Sequence, residues 1–129
     1  IGLKVRAWHL KGLFKNAALA MFDILAEKKN NEGLLHSRPQ EIAIEQKADN
    51  LEELFINWLN ELLSLSATKE LIFSDFCFTK LTREGLQAKG YGRVMSHYRF
   101  KTEIKAATYH ELEIKKAGPR WQARVIFDV

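Results

Sequence analysis

The chain has 129 residues, a single cysteine and a net charge of +4, from 20 Lys and Arg against 16 Asp and Glu. That length supports one domain, residues 1–129, with a sizeable core. The lone Cys77 excludes an intrachain disulfide and a cysteine-rich zinc site, and the longest apolar run, Ala17 to Phe22, is too short to cross a membrane. The charges are interspersed, so the basic balance is only a weak pointer to a polyanion. One cysteine suits a reducing compartment and nothing reads as a signal peptide, so a cytoplasmic protein is expected.

Ile1, Leu3, Val5 and Ala7 alternate with Gly2, Lys4 and Arg6, so the chain opens inside a strand, and residues upstream of Ile1 are expected to be missing. Lys11 to about Lys28 reads as a helix, with Leu13, Phe14, Ala17, Ala18, Met21, Ile24 and Leu25 on one face. Asn30-Asn31-Glu32-Gly33 is a stop and loop signal. Glu41 to Ala48, entered after Pro39, is a strand with Ile42 and Ile44 inward. Asn50 to about Ser66 is the clearest helix: Asn50 and Glu53 form a capping box, and Leu51, Leu54, Phe55, Trp58, Leu59, Leu62 and Leu63 form an apolar stripe. Asn57, Asn60 and Glu61 lie on its other flank, where a solvated and a functional role are both open.

Leu71 to Leu81 is a strand rich in aromatic residues, with Cys77 expected as a small packed hydrophobe. Thr82 to Gly85 connects it to a strand over Leu86 to Met95, in which Gly90 and Gly92 signal a bulge or a close backbone approach. Ser96 to Phe100 reads as a loop. Two closing strands follow, Thr102 to Lys116 and Arg120 to Val129, around an Ala117-Gly118-Pro119 turn. In the first, Ile104, Ala106, Thr108, His110, Leu112 and Ile114 fall on one apolar face, so His110 is expected as a hydrogen-bonded core histidine and Lys105 on the opposite, exposed face. In the second, Trp121, Ala123, Val125, Phe127 and Val129 share a face. The order is β-α-β-α followed by about four strands. A helix layer between two sheets and a single sheet with helices on one face both satisfy it.

No GxSxG, GxxxxGK[ST] or HExxH is present, and the Gly90-Tyr91-Gly92 run lacks the third glycine of a dinucleotide fingerprint. Asp128 is the conspicuous acid. It ends a covered apolar run, where a carboxylate needs a partner or a cation. If Val129 is the true C-terminus, two carboxylates sit on consecutive residues. Hard cations take such oxygen ligands, and surroundings poor in His and Cys favour calcium, magnesium or manganese over zinc.

Three blocks taken together resemble the archease family: NAALAMFDI (Asn16 to Ile24), LEELFINWLNELL (Leu51 to Leu63), and HYRFKTEIKAATYHELEI with ARVIFDV (His97 to Ile114 and Ala123 to Val129). The most specific elements are K-A-x-T-Y-H, at Lys105 to His110, and a chain ending in F-D-[IV]. The resemblance covers essentially the whole chain. It implies an α+β fold, a layered β/α/β sandwich with two main helices packed on mostly antiparallel sheet. It also implies a non-enzymatic partner of an RtcB-type RNA ligase in tRNA splicing, one that promotes the ligase's guanylylation by GTP and so its multiple turnover. RNA would be met indirectly, through the ligase, with no membrane involved.

The family's metal site uses an aspartate before the first strand, the penultimate aspartate and the C-terminal residue. The last two match Asp128 and Val129; the first belongs to an H-T-A-D stretch that would immediately precede Ile1 and is not in this sequence. The implied cofactor is a divalent metal, calcium by preference, with manganese or magnesium as alternatives. Lys105, Thr108 and His110 match the family motif and are candidates for facing the partner or its nucleotide, with His110 mostly structural. Arg93 departs from the family, which commonly has Glu after that glycine. Two other function classes stay in view: a small basic RNA-binding module acting directly on tRNA, and a small metal-dependent hydrolase, against which the incomplete ligand set argues.

Overall fold

The computed structural model describes residues 1–29 and 38–129. Among them the order is β1 (Gly2–Ala7), α1 (Leu10–Leu25), β2 (Ala26–Lys28), β3 (Gln40–Lys47), α2 (Leu51–Lys69), β4 (Leu71–Leu81), β5 (Gly85–Val94), β6 (Tyr98–Phe100), β7 (Ala106–Ala117) and β8 (Arg120–Asp128). The Asn30–Gly33 signal lies outside the described residues. Among the described residues all pairings are antiparallel and make three sheets: β1-β8-β7, β3-β5-β4 and the short β2-β6 ribbon. No helix among the described residues is long and apolar enough to cross a membrane.

Local chemistry sets the helix ends. Asn50 accepts the Glu53 N–H on its side-chain oxygen at 2.8 Å, the expected cap. Glu70 closes α2 in the left-handed region, its N–H bonded to the Ser66 carbonyl. The first helix ends at Leu25, short of the expected Lys28, because Ala26 to Lys28 pair with Tyr98 to Phe100. The Ser96–Phe100 stretch is therefore a 3-10 turn (Met95–His97) followed by β6 rather than a loop.

The helices form a layer between the two larger sheets. On one side α1 packs on β1 and β8, and on the other on β4; α2 packs on β7, and on β3 and β4. In α1 the buried residues Leu13, Phe14, Ala17, Ala18, Met21 and Phe22 sweep about half the circumference, wider than a helix with one covered side needs. Trp58 is fully buried in this layer. Its indole N–H donates to the Phe14 carbonyl at 3.0 Å, and its ring meets Phe78 and Phe76 of β4 at 4.9 and 5.2 Å between centroids. At about 1.5–3 kcal/mol per large buried side chain, the helix layer carries much of the core energy.

The glycine signal in β5 is a close approach. A Cβ on Gly90 would lie 2.8 Å from the buried Phe73 ring. The bulges sit on the partner strand, between Phe73 and Asp75 and between Phe78 and Lys80. With Phe76 and Phe78 facing the helices between those bulges, Cys77 points outward and is exposed, not packed as expected.

Replacing Trp58 with Phe keeps a ring but strands the Phe14 carbonyl contact and leaves a void, so a loss of about 1–3 kcal/mol is expected in urea denaturation. A milder effect is expected at Asp75. The Lys15 ammonium 2.9 Å away, and then the Phe76 N–H, hold its carboxyl below the usual carboxylate range. A depressed pKa contributes stability above the ordinary carboxylate value and loses it as pH falls through the lowered one. Lys15→Met should flatten that acid limb of the stability–pH curve only slightly, because the pair is solvent-exposed.

Candidate functional site

Strand pairing gathers most of the candidate residues at one end of the β1-β8-β7 sheet. Asp128, exposed, lies opposite Ala106 at the end of β8. Its carbonyl accepts the Lys105 N–H at 2.8 Å, which holds the residue before β7 against the strand end. Thr108, half-buried, donates its hydroxyl to the Ile126 carbonyl at 2.8 Å. On the other side, Ile1 and Phe127 exchange two backbone bonds, Phe127 N–H to Ile1 O at 2.8 Å and Ile1 N to Phe127 O at 3.1 Å. The side chains of Lys105 and Asp128 are both exposed and form no ion pair with each other. Val129 lies past the paired segment, 55% exposed, rather than on the inner face with Phe127.

His110 is not where periodicity put it. The β7–β8 register jumps from Thr108↔Ile126 to Glu113↔Arg124, so four residues of β7 span one of β8. Glu111 adopts φ +53 within this bulge, a conformation that costs a non-glycine residue about 1 kcal/mol or more. The bulge breaks the alternation. Ala107 turns inward and is buried, while Tyr109 and His110 are thrown out to solvent. His110 is therefore an exposed side chain, not a core histidine. The strand itself begins at Ala106, not Thr102.

Asn60 is the residue whose role the sequence left open. Its amide nitrogen donates to the Ala107 carbonyl at 3.1 Å, and its amide oxygen accepts the Ala107 N–H at 2.8 Å. β7 is an edge strand, so Asn60 acts as a one-residue strand on its free side and locks α2 to the segment between Lys105 and Thr108. The available signal was an Asn, a weak helix former, beside an apolar stripe.

Among the described residues, no three His, Cys, Asp or Glu side chains converge on a metal-holding point. What the strand end offers is oxygen: the Asp128 carboxylate and the groups of Val129. This is the donor type of a hard cation, in smaller number than such a cation takes. The β1–β8 register, with Gly2 opposite Ile126 and Ile1 bonded to Phe127, sets the next position before Ile1 opposite Asp128.

Among the described residues, two helices between antiparallel sheets, with the candidate residues at an exposed strand end, define an α+β protein of the β/α/β sandwich class. The sequence profile of the Archease protein family matches residues 1–129, and the chain belongs to that family. It is similar to the protein archease of Methanosarcina barkeri, 37% identical over 123 residues that cover 91% of this chain and 81% of the relative. The protein archease of Pyrococcus furiosus is 32% identical over 135 aligned positions, covering 100% and 92%. Among solved structures, protein 1598 of Methanobacterium thermoautotrophicum superposes with a TM-score of 0.68 at 27% identity, covering 99% and 91%. A Thermotoga maritima protein described as an archease and possible chaperone shares the fold with a TM-score of 0.67 at 18% identity, covering 100% and 90%.

Asn60→Ala leaves the Ala107 N–H and C=O without their side-chain partner. A loss of about 1–3 kcal/mol is expected, read as a lower midpoint in thermal and urea unfolding.

Proposed function

We propose that this protein is a non-enzymatic activator of an RtcB-type RNA ligase, acting in the cytoplasm during tRNA splicing. It promotes the ligase's GTP-dependent guanylylation and so its multiple turnover; GTP is consumed by the ligase, and RNA is met through it. The observation that carries this reading is the exposed strand end at which Asp128, Lys105 and Ile1 come together, in a chain that belongs to the archease family. The description of the Thermotoga maritima relative as a possible chaperone supports a role exerted on a partner protein.

Each part of the strand end has a physical task. The Lys105–Asp128 backbone bond fixes the direction of the strand end, the Thr108 hydroxyl braces it from β7, and the Asn60 amide holds β7 from α2. A carboxylate carried on a held backbone can enter a partner's cleft with less loss of backbone conformational entropy than one on a loose tail. The exposed Lys105 ammonium supplies a positive charge for phosphate oxygens at the same surface. Asp128 and Val129, together with an aspartate ahead of β1, would hold a divalent metal, calcium by preference with manganese or magnesium as alternatives. When bound, such a cation supplies concentrated positive charge for orienting carboxylate and phosphate oxygens.

Asp128→Ala, in a protein carrying an H-T-A-D stretch ahead of Ile1, should leave the thermal midpoint nearly unchanged, because the residue is exposed. It should abolish stimulation of ligase guanylylation and of multiple turnover. The measurement is transfer of labelled GMP to the ligase with excess ligase over activator. Normal stimulation by the Ala variant would refute this role for the strand end.

A further inference from the structure

The outward face of the β1-β8-β7 sheet carries a charge pattern that the Asp128 end does not use. Ala123, Val125 and Phe127 of β8 are buried, so Arg120 and Arg124 project from the other side of the strand. The β1 register puts Lys4 opposite Arg124 and Arg6 opposite Gln122. All four cations are exposed, and none of them joins an ion pair among the described residues. Like charges on neighbouring strands repel one another. Glu113 of β7 stands opposite Arg124 but is paired with Lys115 at 3.2 Å, so the face keeps an excess of positive charge that a polyanion can neutralise.

At the end of this sheet away from Asp128 the charge meets an aromatic ring. Trp8 is 57% exposed, and the Arg120 guanidinium lies 4.6 Å from its ring centre. Arg6 is held in place by donating from Nε to the Gln122 side-chain oxygen at 3.1 Å. These residues, with His9 and Lys11, line a groove of about 510 Å³ between the strand ends and the first turn of α1. An acidic polypeptide would engage the cations and leave the indole without a matching partner. A nucleic-acid strand uses both, phosphates on the cations and a base on the ring.

We propose that this end of the sheet binds a single nucleic-acid strand, its phosphates running across Lys4, Arg6, Arg120 and Arg124 with one base stacked on Trp8. Arg120 and Asp128 stand at opposite ends of β8, about 27 Å apart along the strand. A partner contact confined to the Asp128 end would leave the groove open. In the ligase-activator reading the bound strand is RNA already held by the ligase that reaches across to this groove, but the site does not depend on that reading.

Fluorescence anisotropy of short labelled oligouridine and oligothymidine, titrated with the isolated protein, tests it. Binding is expected at low salt, with log affinity falling against log salt at a slope of about −3, as about four neutralised phosphates on a single strand require. Arg6→Glu combined with Arg120→Glu should weaken it by more than about tenfold, and Trp8→Ala by about tenfold. Lys89→Glu, the same charge change on the opposite sheet, should leave it intact. A preference for RNA over DNA assigns RNA as the ligand, and equal binding assigns any single strand; either upholds the site. Two results would overturn it: no binding of either oligonucleotide at low salt, or competition by polyglutamate as strong as by RNA with Trp8→Ala without effect. The second result would make the face a dock for an acidic polypeptide. All the substituted side chains are exposed, and matching thermal midpoints verify that each variant is folded.

Discussion

The Trp58 indole is the point at which the layers of this fold are joined. A buried N–H must find an acceptor, and here it finds the Phe14 carbonyl of the other helix. The ring itself lies against Phe76 and Phe78 of β4. One residue thus fixes the spacing of α1, α2 and the β3-β5-β4 sheet. Phe14 extends the cluster to Phe55, edge to face at 5.1 Å. With the helices held at that spacing, their opposite flanks meet β1, β8 and β7, and the second sheet can close over them.

Closure of that second sheet creates the candidate site. β1 and β7 flank β8, so residues from both termini and from the segment before β7 arrive at one place. Asn60 connects this end to the core: it reaches from α2 to the free edge of β7 and satisfies both backbone groups of Ala107. The strand end is therefore braced by a helix that is itself locked by Trp58. An exposed carboxylate presented on such a support differs from one on a loose tail, because the backbone that carries it is held before any partner arrives.

Along β8 the sheet has two chemically different ends. One holds Asp128 beside Lys105. The other holds Trp8, Arg6 and Arg120 around a groove. The excess of basic over acidic residues is thus partly concentrated, although in the linear sequence it looks evenly spread. Antiparallel pairing causes this by setting Lys4 and Arg6 of one strand beside Arg124 and Gln122 of another.

Local rules carried a long way. The Asn50 cap, the stripe through Trp58 and Leu62, the Leu71–Leu81 strand and the Gly90 close approach are all short-range or periodic features, and each stands in the structure as the residues indicate. The same holds for Asp128 at a strand end and for Lys105 on the exposed side. Periodicity failed where a bulge intervened. It assumes an unbroken alternation, and the irregularity at Tyr109–Leu112 reversed the expected face of His110; Cys77, expected as a packed hydrophobe from its residue type, is turned outward by simple alternation with the inward Phe76 and Phe78. The stacking of layers was likewise open, because a helix with a wide apolar arc can be covered by one sheet or by two. Only long-range packing selects between them, and it is the same packing that gives Asn60 a strand edge to bond and Asp128 its neighbours.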